Sequence, residues 1–119
     1  MQEMLAGYKH RNHDVYLPYR TGDDIILKRE GDRLTVNVPR VFTRHSPDGY
    51  EWGYAGSGPA ELALNILLLF ADYATANPLY QDFKQEFIAD LPRTNGTSTI
   101  SATLIQAWLA MRDSPAEVA

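Results

Sequence analysis

Apolar and polar positions divide this chain into a first half that alternates and a second half with helical periodicity. Leu34-Thr35-Val36-Asn37-Val38 alternates strictly, which puts Leu34, Val36 and Val38 on one face of a strand. The β-favouring run Ile25-Ile26-Leu27 precedes it across the turn residues Glu30-Gly31-Asp32, so the two runs predict a β-hairpin that Pro39 ends. Val15-Tyr16-Leu17 before Pro18 predicts a short edge strand at 14–17, because proline donates no ladder bond. Residues 41–49 form a connection with turn chemistry at Ser46-Pro47 and Asp48-Gly49. Tyr50 to Tyr54 reads as a further short strand with Tyr50, Trp52 and Tyr54 on one face.

From Leu62 to Ala76 the pattern changes. Apolar residues cover most of a helical circumference, interrupted by Glu61, Asn65 and Asp72 on one narrow stripe. Such a helix belongs at the centre of a domain. Its expected span is 59–76, with Ser57 or Gly58 as cap, Pro59 at the first helical position and Glu61 facing the positive end of the dipole. Asn77-Pro78 repeats the cap-then-proline signal and predicts a second helix over 78–91, with Tyr80, Phe83, Phe87 and Leu91 inward and Pro92 as its stop. Asn95-Gly96 marks a turn and Thr97–Ile100 a brief strand. Ser101 caps a last helix at 102–112 whose apolar face is Leu104, Ile105, Trp108, Leu109 and Met111, and 113–119 reads as a frayed tail. The expected fold is α+β: a small antiparallel N-terminal sheet, about 8–55, packed on three C-terminal helices, about 58–112, in one domain over 1–119. Helical apolar content exceeds what three strands can cover, which favours a homodimer.

Composition narrows the functional classes. No apolar run is long enough to span a membrane, and Met1–Gly7 lacks the basic start of a secretory signal, so a cytoplasmic protein is expected. The absence of cysteine excludes disulfides, thiolate metal sites and a cysteine nucleophile. The net charge of −4 is uneven: residues 1–50 hold eight of the eleven Lys and Arg against seven acids, whereas 51–119 hold three bases against eight acids. An acidic chain is a poor nonspecific nucleic-acid binder, because phosphate neutralisation supplies most of that affinity. The acidic half suits either a basic partner or plain solvation.

The candidate chemistry is sparse. Gly56-Ser57-Gly58-Pro59 fails the nucleophile-elbow pattern, because Ala55 and Pro59 stand where glycines are needed. It also lacks the Gly-Lys-Ser/Thr of a phosphate loop. A helix cap and an anion-binding helix start both remain open for it. His10 and His13 stand three apart beside Asp14, but in a loop or strand start that spacing implies no metal site, so surface histidines are the reading. Arg44 and His45 lead into the aromatic stretch and would set a cation beside a ligand, or simply face water. Tyr50, Trp52 and Tyr54 either form a binding surface, given the large area aromatics bury, or cover the base of the central helix. Asn65 is read as a boundary residue because it aligns with Glu61 and Asp72, with a buried register-fixing amide as the alternative.

The block Arg44-His45-Ser46-Pro47-Asp48-Gly49-Tyr50-Glu51-Trp52-Gly53-Tyr54-Ala55-Gly56-Ser57-Gly58-Pro59-Ala60-Glu61-Leu62-Ala63-Leu64 resembles the signature of a family of short uncharacterised proteins from bacteria, phages and other mobile elements. Tyr80-Gln81-Asp82-Phe83-Lys84, Leu91-Pro92 and Ile105-Gln106-Ala107-Trp108-Leu109 extend the resemblance to about 109. Ala55 departs from it, since the family has glycine there. The resemblance implies no activity and so no catalytic residues. It implies a small accessory protein that binds and blocks host machinery, defence systems included.

The leading expectation is therefore a non-enzymatic binding protein. Its 44–58 loop, with Trp52 and Tyr54 as anchors and Arg44, His45, Tyr50, Gly56, Ser57 and Gly58 around them, would engage a host protein, such as a basic nucleic-acid-binding one. The alternative is a nucleotide or anion binder using the backbone amides of Gly56 to Ala60. An enzyme would rest on His45 and Ser57, which lack an orienting partner. No cofactor, metal, membrane or direct nucleic-acid contact is expected.

Overall fold

The computed structural model describes residues 14–44 and 49–113. His10, His13, His45, the Ser46-Pro47-Asp48 turn and the tail after Asp113 lie outside the described residues.

Strands β1 (Val15–Tyr16), β2 (Ile25–Glu30), β3 (Arg33–Val36) and β4 (Gly96–Ile100) form one sheet in the order β1-β3-β2-β4. The expected hairpin is β2–β3, reversing at Gly31 with φ 65°. Two features depart from an all-antiparallel N-terminal sheet. The connection after β1 folds back through the bond from the Tyr19 hydroxyl to the Asp23 carbonyl, which leaves β1 running parallel to β3 in the register Val15 to Thr35. The Thr-rich segment after Asn95-Gly96 then returns from the helical half to pair antiparallel with β2, Ile25 opposite Ile100. Tyr50–Tyr54 is not a strand. Gly53 takes φ 93°, so the segment turns and its side chains no longer alternate.

The three helices are α1 (Ser57–Leu67), α2 (Tyr73–Phe83) and α3 (Ala102–Asp113). Both ends of α1 differ from expectation. Gly56 is the cap residue, in extended conformation, and the Ala60 N–H closes the first bond onto its carbonyl at 3.0 Å, so Pro59 stands third, where its missing N–H costs nothing. Glu61 consequently lies beyond the first turn. At the other end Leu69 donates to Ile66 and Phe70 to Leu67 in tight turns of 2.9 and 3.0 Å. Asp72 then accepts from the Thr75 N–H at 2.9 Å and starts a new helix. Asn77-Pro78 thus lies inside α2, not at its start. The helix runs on into a π-helical turn, Lys84–Ile88, in which Ala89 donates to Lys84. Ser101 caps α3 as expected, its hydroxyl accepting from Leu104, with the Asp24 carboxylate accepting from Ala102.

Ile25, Leu27, Leu34, Val36 and Ile100 of the sheet, with Val38 just after β3, share one buried cluster with Leu62, Ala63, Leu64, Ile66 and Leu67 of α1. Phe83, Ile88, Ile105 and Trp108 close the core from the other helices, Phe83 edge-on to Trp108 at 5.3 Å. Each large aliphatic side chain buried here stabilises the fold by about 1.5–3 kcal/mol. Gly58 through Leu67 is buried within this one chain, so covering α1 requires no second subunit.

Candidate functional site

Two regions meet at α1, and the first is the aromatic stretch. Tyr50 and Trp52 are each only 1% exposed. Tyr50 donates its hydroxyl to the Pro39 carbonyl at 3.0 Å, and burial raises its phenol above the ordinary range. The Arg29 guanidinium lies 4.7 Å over Trp52 and grips Glu51 with both arms, at 2.7 and 3.2 Å. Glu51 also accepts the N–H of Trp52 itself. Of the two readings open for the stretch, these contacts favour core packing for Tyr50 and for Trp52, one of the two expected anchors: both are buried side chains, locked by a largely buried ion pair.

Tyr54 turns the other way and is 40% exposed. Its ring lies against Gly56 and its hydroxyl against Gly58, with the Arg93 guanidinium 4.8 Å over the ring. A Cβ at Gly56 would overlap that ring, and one at Gly58 would come within 2.8 Å of the Glu51 Cβ. The glycines therefore admit the chain's own side chains. Ser57 is exposed at the first position of α1. A cavity of about 80 Å³ beside Trp52, lined by Pro92, Thr94, Asn95, Gly96, Thr97 and Ser98, is well below the roughly 300 Å³ of small-ligand pockets.

The second region is the segment before the aromatic stretch. Glu61 and Asn65, one turn apart on α1, are both fully buried. Asn65 is therefore not the boundary residue its alignment with Asp72 predicts, since Asp72 belongs to the next helix. Its carbonyl oxygen accepts from the Val41 and Phe42 N–H groups, each at 2.9 Å. Its amide donates to the Phe42 and Glu61 carbonyls, also at 2.9 Å. All four hydrogen-bonding positions of the side chain are thus filled, three of them by residues 41–42. The Glu61 carboxylate takes the Arg44 N–H on both oxygens at 2.9 Å and the Arg40 guanidinium at 3.4 Å. An irregular segment is thus pinned by two polar groups sunk in the core.

The side chains of that segment point outward. Val41 is 67% exposed, and Phe42 and Tyr73 form an exposed edge-to-face pair with centroids 5.2 Å apart. The Arg44 guanidinium stands 5.4, 5.3 and 5.8 Å from the Phe42, Tyr73 and Tyr80 rings, and donates to Asn77 at 2.6 Å. Of the sequence candidates among the described residues, Arg44 alone joins this cluster. Tyr54, Gly56, Ser57 and Gly58 lie with the first region.

Residues 16–111 match the family of unknown function DUF6166. The chain belongs to that family. No curated protein and no solved structure matches it. The DUF6166 match begins within β1 and ends within α3, so β2 to β4, the aromatic stretch, the pinned segment, α1, α2 and most of α3 fall inside the family's unit.

Val41, Phe42, Tyr73, Glu61 and Asn65 were not identifiable as a group from the chain. Two signals pointed to them. Val41-Phe42 is an apolar pair in a connection without periodicity, and Glu61 and Asn65 are the polar pair, four apart, in an otherwise apolar helix. Among the described residues no group of His, Cys, Asp and Glu is arranged to hold a metal ion.

Proposed function

We propose that this DUF6166 chain is a non-enzymatic protein-binding module whose contact surface is residues 41–44 with Tyr73. The supporting observation is the use of Glu61 and Asn65. Burying a carboxylate and an amide in an apolar core is costly unless both are hydrogen-bonded. Here the bonds fix the backbone beneath an exposed valine, an aromatic pair and an arginine. A surface ordered before contact loses little entropy on binding, and Tyr and Arg are the residues enriched at binding hot spots. Tyr54 lies in the other region and is no part of this surface.

The setting we propose is that of a small phage or mobile-element accessory protein in the cytoplasm, blocking a host protein such as a defence effector. The nucleotide or anion alternative has less support, because the Tyr54 ring already fills the space beside Gly56 and Gly58.

The test compares tagged wild type with Val41→Asp and Tyr73→Ala, purified from a bacterial host lysate after circular dichroism has shown both variants folded. A stoichiometric partner identified by mass spectrometry on wild type and lost from both variants is expected. Retention of the same partner by both variants would contradict the assignment. Trp52→Ala is unsuitable for this purpose, since it attacks the core.

A further inference from the structure

Five arginines among the described residues stack on an aromatic ring: Arg29, Arg40, Arg44, Arg93 and Arg112. Four of them also pair with a carboxylate: Arg29 and Arg93 with Glu51, Arg40 with Glu61, and Arg112 with Glu86. Arg44 is the exception. Three rings surround its guanidinium and Asn77 takes one arm, yet among the described residues no carboxylate lies within ion-pair distance of it. Glu61 takes the Arg44 backbone N–H and the Arg40 guanidinium, and Asp72, beside Tyr73, takes the Thr75 N–H.

We infer that the partner segment seated on this surface presents an Asp or Glu carboxylate to Arg44, next to an apolar side chain that covers Val41. The inference rests on the reading of residues 41–44 and Tyr73 as a contact surface. A guanidinium is a planar fork of five donors, suited to a carboxylate at two points. The rings and Asn77 hold that fork in one orientation, so a carboxylate meets donors already arranged. Charge-assisted bonds of this kind are stronger than neutral ones. The exposed apolar surface of Val41, Phe42 and Tyr73 supplies the neighbouring water-excluding contact that hot spots require. The acidity of residues 51–119 points to a basic target only if that surface makes the contact; at Arg44 the complementary charge is negative.

A phage-displayed library of random linear peptides, selected on the immobilised full chain, tests this without a known partner. Selected peptides are re-measured on Val41→Asp, Arg44→Gln and Arg44→Lys, each checked for folding. Peptides that fail on Val41→Asp are expected to be enriched in Asp or Glu beside an apolar residue. They should lose about tenfold or more in affinity on Arg44→Gln, and less on Arg44→Lys, which keeps the charge without the fork. Val41-dependent peptides with no acidic enrichment, or with unchanged affinity for Arg44→Gln, would overturn the inference and leave the proposed surface standing. The absence of any Val41-dependent peptide would count against both.

Discussion

The two regions flanking the start of α1 invert what their composition announces. Residues 50–58 carry the densest aromatic and glycine content in the chain, and the structure consumes nearly all of it internally. Trp52 and Tyr50 fill the core, Glu51 locks Arg29, and the glycines leave room for Tyr54 and Glu51. Residues 41–44 look like an ordinary connection, yet two fully buried polar side chains hold their backbone while Val41 and Phe42 face outward. The contrast teaches that large side chains do not by themselves mark a contact surface. A more informative mark is a buried polar group that supports exposed backbone, because such burial carries a cost that only a specific geometry offsets.

The sharpest way to break this comparison is to attack the first region. Trp52→Ala empties a fully buried site and is expected to cost about 3–5 kcal/mol in urea unfolding. Glu51→Ala strands Arg29 without its partner and should cost a similar amount, about 3–5 kcal/mol. Losses below about 1 kcal/mol for both would mean the stretch is a surface after all. The glycines come next. Gly53→Ala must adopt φ 93° and crowd the Leu91 carbonyl, and Gly58→Ala must displace Glu51, each at an expected cost of about 1–3 kcal/mol.

In the second region, Asn65→Leu removes the acceptor for two backbone N–H groups and is expected to cost about 1–3 kcal/mol while releasing residues 41–42. Partner binding should fall with it even though Asn65 touches no partner. Val41→Asp, by contrast, should stay within about 0.5 kcal/mol of wild type in the same unfolding assay, since the side chain packs little, and yet abolish binding. A smaller effect sharpens the boundary between α1 and α2. The backbone and hydroxyl of Thr75 donate to the Asp72 carboxylate and hold its pKa below the usual value. Because the folded value is the lower one, its contribution is present above the unfolded pKa of about 4 and is lost as pH falls through the folded value. Acid titration of stability should therefore show a step below pH 4 that Asp72→Asn flattens.

Much of the fold was legible. Alternation at Leu34, Val36 and Val38 marked the hairpin, and Ser101 marked the last helix, because each signal was local and unopposed. The boundary between α1 and α2 was not. Leu68 to Ala71 continues the apolar run through a tight turn, and Asn77-Pro78 offered a competing start that the Asp72 cap outweighs. The edge strands β1 and β4 were legible as short strands at 14–17 and 97–100, but their places in the sheet were not, since they reach it by long-range pairing that no local pattern encodes. The candidate site was hidden most. Trp52 is equally compatible with core and surface until Arg29 is seen against it, and Glu61 reads as a helix-dipole partner and Asn65 as a boundary residue until residues 41–44 are seen folded over them.

Native-state amide hydrogen exchange reads that last point directly. The account predicts that the Val41, Phe42 and Arg44 amides are protected nearly as strongly as the Gly53 amide, which donates to Ile88, although the side chains of Val41 and Phe42 lie open to solvent. Asn65→Leu should abolish protection at Phe42 and lower it at Val41, whose N–H keeps the Pro39 carbonyl at 3.1 Å, while sparing Gly53. Exchange at Val41, Phe42 and Arg44 in the wild-type protein at the rate of an unstructured peptide, with Gly53 protected, would contradict the claim that the core holds this segment ready for a partner.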